Sequence, residues 1–242
     1  MPWSSRKPGG RWRAGVLAIL IAAGSMSAVS QAPPAPSPRY VVVLDAAHGG
    51  DDPGGLLNGK PEKDYTLALS VRLRSLLTAR GIPVATTRES DVTMDAEHRA
   101  GIANHADAQA CLSLHATLSG SGVHLFISSL APAAPARFAP WKTAQAEWVT
   151  RSLALAGTLN SALLHAGIPV TLSRTALPVV DSMTCPAVAV EVAPESGSDR
   201  ASGPSAAGSL DDPNYQARVT QALAAALVEW RSEDESMGAS QP

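Results

Sequence analysis

Two histidines and two glutamates stand where a folded chain can put them to chemical use. His48 follows the apolar run VVVLD (41–45), His115 follows ACLSL (110–114), Glu62 opens a helical segment, and Glu191 lies inside the apolar stretch CPAVAVEVAP (185–194). Imidazole nitrogens and carboxylate oxygens suit a zinc ion, and a His, Glu, His set leaves the fourth position of a catalytic site open for water. No HExxH segment occurs, so His48, Glu62 and His115 would have to be brought together from separate elements. Each histidine taken alone is more often a hydrogen-bonded core or surface residue than a ligand. His98, His105, His124 and His165 are read in that way, on helix faces or an outer strand.

Glu191 raises an energetic question. An unpaired carboxylate withdrawn from water costs several kcal/mol, against a domain stability of roughly 5 to 15 kcal/mol. Something must compensate it. A buried ion pair with an arginine such as Arg88 or Arg174 is the structural alternative to a functional role.

Competing motifs fail on particular residues. GGLLNGK (54–60) approaches a phosphate-binding loop, but Pro61 stands where a magnesium-binding Ser or Thr is needed, and Asp51 and Asp52 would repel phosphate. There is no GxSxG elbow and no CxxC pair. Cys111 and Cys185 are either one disulfide or two small core hydrophobes.

The elements that must position these residues alternate along the chain. Short β-branched runs at 40–44, 82–87, 110–114, 123–128, 168–172 and 187–192 read as strands. Between them, Leu69, Leu73, Leu76 and Leu77 share a helical face that ends at Gly81, with Pro61 suited to the first turn. A second helix is expected from Thr93, with Asp95 and Glu97 in its first turn. A third is expected through 141–167 and a fourth from Pro213 to Trp230. The alternation predicts a three-layer α/β/α domain with a mostly parallel sheet. In such sheets ligands gather beyond the carboxyl ends of the strands, which is where His48 and His115 fall. Two segments, 131–140 and 194–209, interrupt the pattern as loops that could wall a cleft.

The chain of 242 residues, 45% hydrophobic, can bury one sizeable core. Its first thirty residues set Arg6, Lys7, Arg11 and Arg13 ahead of AGVLAILIAAG and a run of small residues reaching Ser30, the layout of a signal peptide. Residues 31–39 form a proline-rich leader, 40–230 the folded domain, and 231–242 a flexible tail. Export places the protein in a periplasmic or extracellular compartment, and membrane contact would come only through the amino-terminal segment if uncleaved. Removing residues 1–30 takes four of the 19 basic residues and none of the 21 acidic ones. The acidic remainder argues against a nucleic-acid partner.

Taken in order, VVVLDAAHGG, DDPGG, GKPEKDYTLAL, TTRESD, HRAGIANHADAQACLSLHA, GVHLFI, CPAVAVEV and LDDPNYQARVTQALAAAL resemble the blocks of the zinc-dependent N-acetylmuramoyl-L-alanine amidases, the amidase family 3 cell-wall hydrolases. The resemblance implies a phosphorylase/hydrolase-like α/β fold, zinc (Zn2+) held by His48, Glu62 and His115, and Glu191 as the catalytic carboxylate. It implies peptidoglycan as partner and substrate, cut at the amide between the lactyl group of N-acetylmuramic acid and L-alanine. The chain departs from the family at Ala46-Ala47, where Pro-Gly is usual, at Thr117, where Asn is usual, and in the segment after Glu191. Asp45 is a candidate to orient His48 but is left out of the catalytic set.

Overall fold

The computed structural model describes residues 40–135, 140–195 and 208–239. The signal segment, the leader and most of the 194–209 loop lie outside the described residues, as do residues 136–139. The strands are β1 (Val42–Ala46), β2 (Leu56–Leu57), β3 (Lys60–Pro61), β4 (Val84–Thr86), β5 (Ala110–Ala116), β6 (Val123–Ser128), β7 (Val170–Thr175) and β8 (Ala187–Val192). The helices are α1 (Glu62–Thr78), α2 (Ala96–His105), α3 (Val149–His165), α4 (Pro178–Asp181) and α5 (Pro213–Ala239).

Six strands form one sheet in the order β4-β1-β5-β8-β6-β7, while β2 and β3 form a separate hairpin. Within the six-stranded sheet every pairing is parallel except β6 with β8. Because side chains alternate across a strand, each strand contributes to two cores. Val42, Leu44, Leu112, Leu114, Val188 and Val190 join leucines of α1, α3 and α5 in the larger one. Val43, Cys111, Ala187 and Ala189 face Ala100, Ala103 and Val180 of α2 and α4 in the smaller. This is the three-layer arrangement that the alternation predicts.

Several boundaries differ from the expectation. Helix α2 begins at Ala96, because Asp95 caps it by accepting the His98 amide at 2.8 Å. The expected helix over 141–167 is a 3-10 segment, Trp141–Glu147, followed by α3. There the buried Gln145 donates to the carbonyls of Met183 and Cys185 at 2.9 and 3.0 Å and accepts from Ser152. The edge strand β7 lies later than 168–172 and is largely exposed.

The tail expected to be flexible from Arg231 continues α5 as far as Ala239. Asp234 pairs with Arg151 of α3 at 2.6 Å, and Arg151 stacks on Trp230. GGLLNGK is not a phosphate loop but the β2–β3 hairpin, turned at Asn58-Gly59 with both φ positive. Cys111 and Cys185 form a disulfide that joins β5 to the entry of β8. Among the described residues no helix is long and apolar enough to cross a membrane.

Candidate metal centre

His48 lies two residues beyond β1 in a left-handed conformation, φ 62°. A bulky residue rarely holds that conformation without support from its surroundings. Here the support is a pair of buried arginines. Arg88 donates to the carbonyls of Ala46 and Ala47 at 2.8 and 3.0 Å. Arg99 donates to the carbonyls of Ala46, at 2.7 Å, and of His48 itself.

Arg99 is in turn neutralised by Asp45, 2.9 Å away, whose carboxylate also accepts from Thr87 and Ser113. Asp45 is 1% exposed and is engaged there rather than with His48. Its side chain projects from β1 on the same face as Val43, into the layer of α2. Replacing Asp45 with alanine leaves Arg99 buried without a counter-charge and is expected to destabilise the fold by about 3–5 kcal/mol. Denaturant unfolding checks this; a loss below about 1 kcal/mol would show that the carbonyl contacts suffice for Arg99.

Glu62 opens α1 directly after the hairpin. Its backbone amide donates to the Gly55 carbonyl at 2.8 Å. Its side chain accepts from the amides of Gly55, at 3.0 Å, and Ala116, at 3.2 Å. His115 projects near the carboxyl end of β5. The three residues meet: His48 Nε2 is 3.2 Å from Glu62 Oε2, His115 Nδ1 is 3.0 Å from Glu62 Oε1, and the imidazole rings stand edge to face, 5.4 Å apart.

One donor atom from each residue lies within 4.8 Å of the other two, and the cluster has no fourth member among the described residues. Two nitrogens and one carboxylate oxygen converging in this way fit a borderline dication such as zinc. A β-carbon at Gly54 would fall 2.7 Å from His48 Cδ2 and 2.8 Å from Glu62 Oε2, so the chain passes against both residues only because no side chain is there.

The residue that orients His48 is Asp52, which accepts from Nδ1 at 2.8 Å and leaves Nε2 turned toward Glu62. The i, i+4 spacing of His48 and Asp52 was the available signal. The hydrogen bond with Glu62, and then that with Asp52, hold the His48 imidazole above its ordinary pKa despite partial burial. The His48 bond correspondingly lowers Asp52. Burial works to raise the Glu62 carboxyl, but hydrogen bonds from His115, His48 and the Gly55 and Ala116 amides outweigh it and hold Glu62 well below the usual carboxylate range.

A dication takes up neutral imidazole, so binding must expel the proton that this environment favours on His48. As pH is lowered, apparent zinc affinity is therefore expected to fall by about tenfold per pH unit for each proton displaced, the fall beginning above the ordinary imidazole value of about 6.5 because the His48 pKa is raised. Competition titrations across a pH series check it; an affinity unchanged down to pH 6 would contradict it.

Glu191 stands beside His115 in the β5–β8 register and beside His124 in the β8–β6 register. Neither Arg88 nor Arg174 is its partner, since Arg88 serves the His48 loop and Arg174 donates to the carbonyls of Ser128 and Leu130. Its partner is His124, whose Nδ1 is 2.9 Å from Glu191 Oε2. The carboxylate is also less withdrawn from water than its apolar strand suggests, with its side chain 30% exposed. A cleft of about 400 Å³ opens beside the triad, lined by His48, Asp52, Met94, His115, Leu177 and Val179 among others.

Fold and site together define an α/β domain with a His, Glu, His cluster that could hold a metal ion at the carboxyl edge of its sheet. The chain belongs to the N-acetylmuramoyl-L-alanine amidase family, whose model matches residues 42–229. It is 42% identical over 89 residues to the endolysin of Bacillus phage SPP1, covering 36% of this chain and 33% of that protein. It is 36% identical over 81 residues to the sporulation-specific N-acetylmuramoyl-L-alanine amidase of Bacillus subtilis (strain 168), covering 33% and 32%. The chain thus spans about a third of the length of these curated relatives. In fold it is similar to the catalytic domain of CwlV, an N-acetylmuramoyl-L-alanine amidase from Bacillus (Paenibacillus) polymyxa var. colistinus. The TM-score is 0.61 at 23% identity, over 80% of this chain and 98% of that one.

Proposed function

We propose that this protein is an exported, zinc-dependent N-acetylmuramoyl-L-alanine amidase that hydrolyses the amide between the lactyl group of N-acetylmuramic acid and L-alanine in peptidoglycan. The observation that carries the reading is the placement of two carboxylates, one inside and one outside a three-donor cluster, at the carboxyl edge of the sheet. Glu62 joins His48 and His115 in a three-donor cluster, and Glu191 stands next to His115 but outside it. Zinc held by His48, Glu62 and His115 would polarise the scissile carbonyl and acidify a water molecule.

The chain's own residues do the rest. Asp52 fixes the imidazole of His48 with Nε2 facing the cluster. Glu191, partly exposed and next to His115 in the sheet, takes a proton from the attacking water and returns it to the departing amine, which would otherwise be a poor leaving group. The Cys111–Cys185 disulfide and the basic-then-apolar amino terminus support passage to an oxidising compartment outside the cytoplasm.

The test is product analysis. Mature protein incubated with zinc and purified peptidoglycan should release stem peptides beginning with L-alanine and leave free lactyl groups on the glycan, read by mass spectrometry. Cleavage within the stem peptide would make the protein a zinc peptidase on the same scaffold. Retention on the wall without any release would make it a binding protein that keeps the fold.

A further inference from the structure

We infer that His124 is a positioning residue that tethers Glu191 away from the metal cluster, keeping one position open; the inference rests on the metal-site reading above. Its basis is the sheet register. His115, Glu191 and His124 are successive neighbours across β5, β8 and β6. All three project from the face opposite the larger core, since Leu114, Val190, Val123 and Leu125 on either side of them point into that core. Glu191 is therefore flanked by a cluster histidine on one side and by a histidine outside the cluster on the other.

A glutamate side chain has three rotatable bonds, and a carboxylate next to a dication is drawn toward it. Were Glu191 free, its coordination would complete a four-ligand set of the kind that marks closed, structural zinc sites. The contact with His124 at 2.9 Å holds Oε2 on the opposite side. His124 is itself fixed in place. Its side chain is only 14% exposed, Phe126 meets its ring edge to face at 6.4 Å, and Gly120 covers the other ring edge. A β-carbon at Gly120 would lie 2.5 Å from Cε1 and 2.6 Å from Nε2. Besides compensating the carboxylate, the contact keeps Glu191 turned from the cluster and so available for the proton transfers proposed above.

The test uses the cobalt-substituted full-length protein and the variants His124→Leu, which removes the donor, and His124→Asn, whose side-chain amide can replace Nδ1–H. In His124→Leu the visible cobalt spectrum should shift and stop responding to added azide, and kcat on peptidoglycan should fall about 10–100-fold with KM little changed. His124→Asn should recover both properties, and the double variant His124→Leu/Glu191→Gln should recover the azide response but not turnover. A His124→Leu spectrum and azide response equal to wild type would overturn the inference, as would wild-type protein that takes up no cobalt. The spectra do not depend on turnover. A wild type that leaves peptidoglycan intact while the Glu191-dependent spectral change persists would sink the proposed activity and leave the tether standing.

Discussion

Glu191→Gln is expected to lower kcat on peptidoglycan by about 10²–10⁴-fold, the usual share of a positioned general acid-base, while zinc content and the unfolding midpoint stay close to wild type. Glutamine has the same length and keeps an oxygen that can accept from His124, so the site should retain its shape. It cannot take a proton from water at neutral pH, nor return one to the amine. Because Glu191 lies outside the three-donor cluster, its removal should leave metal binding unaffected. Steady-state rates on purified peptidoglycan, paired with metal analysis of the same preparation, check both halves of the expectation. A variant with rates within threefold of wild type would assign the proton transfers to another group. A variant that also lost zinc would make Glu191 a ligand and remove the basis for separating the two carboxylates.

How far the site was legible in the chain depends on which physical rule carried each residue. His48 and His115 could be found because each directly follows or ends an apolar run, and strand ends in an α/β sheet are where ligands collect. Glu62 could be found because it opens a helix whose leucine spacing is clear. The partner of Glu191 could not be found in this way. The alternation predicts a mostly parallel sheet without saying which pair departs from it; β6 runs antiparallel to β8, and only that pairing brings His124 beside Glu191. A cue was present in the link 117–122, which contains Gly120 and Gly122 and is too short to hold the crossover helix that parallel neighbours need.

Asp45 attracted attention because it closes a strand next to His48, whereas the useful carboxylate was Asp52, placed by a turn whose left-handed residues are not apparent from composition. The length of α5 was missed for a different reason. Polar sequence from Arg231 onward weakens the apolar pattern but does not end a helix, and the segment has no glycine or proline until Gly238.

The larger test of the metal centre is His115→Ala, which is expected to abolish stoichiometric zinc binding and take activity below detection. Removing a residue that merely supports a ligand typically costs about 10–100-fold in affinity, so removing one of three ligands should exceed that range. Loss of folding is a poor alternative explanation, because the His115 side chain is 30% exposed and belongs to neither hydrophobic core. The metal-free variant should therefore unfold close to metal-free wild type, while added zinc should raise the midpoint of the wild type alone. His165→Ala, on an exposed stretch of α3 away from the cluster, should bind zinc normally. Metal analysis of protein purified without chelator, with thermal unfolding in the presence and absence of zinc, measures each of these. If His115→Ala kept a full complement of zinc and its zinc-dependent rise in midpoint, the approach of two imidazoles to Glu62 would be a hydrogen-bonded cluster with a structural role, and the hydrolytic reading would lose its foundation.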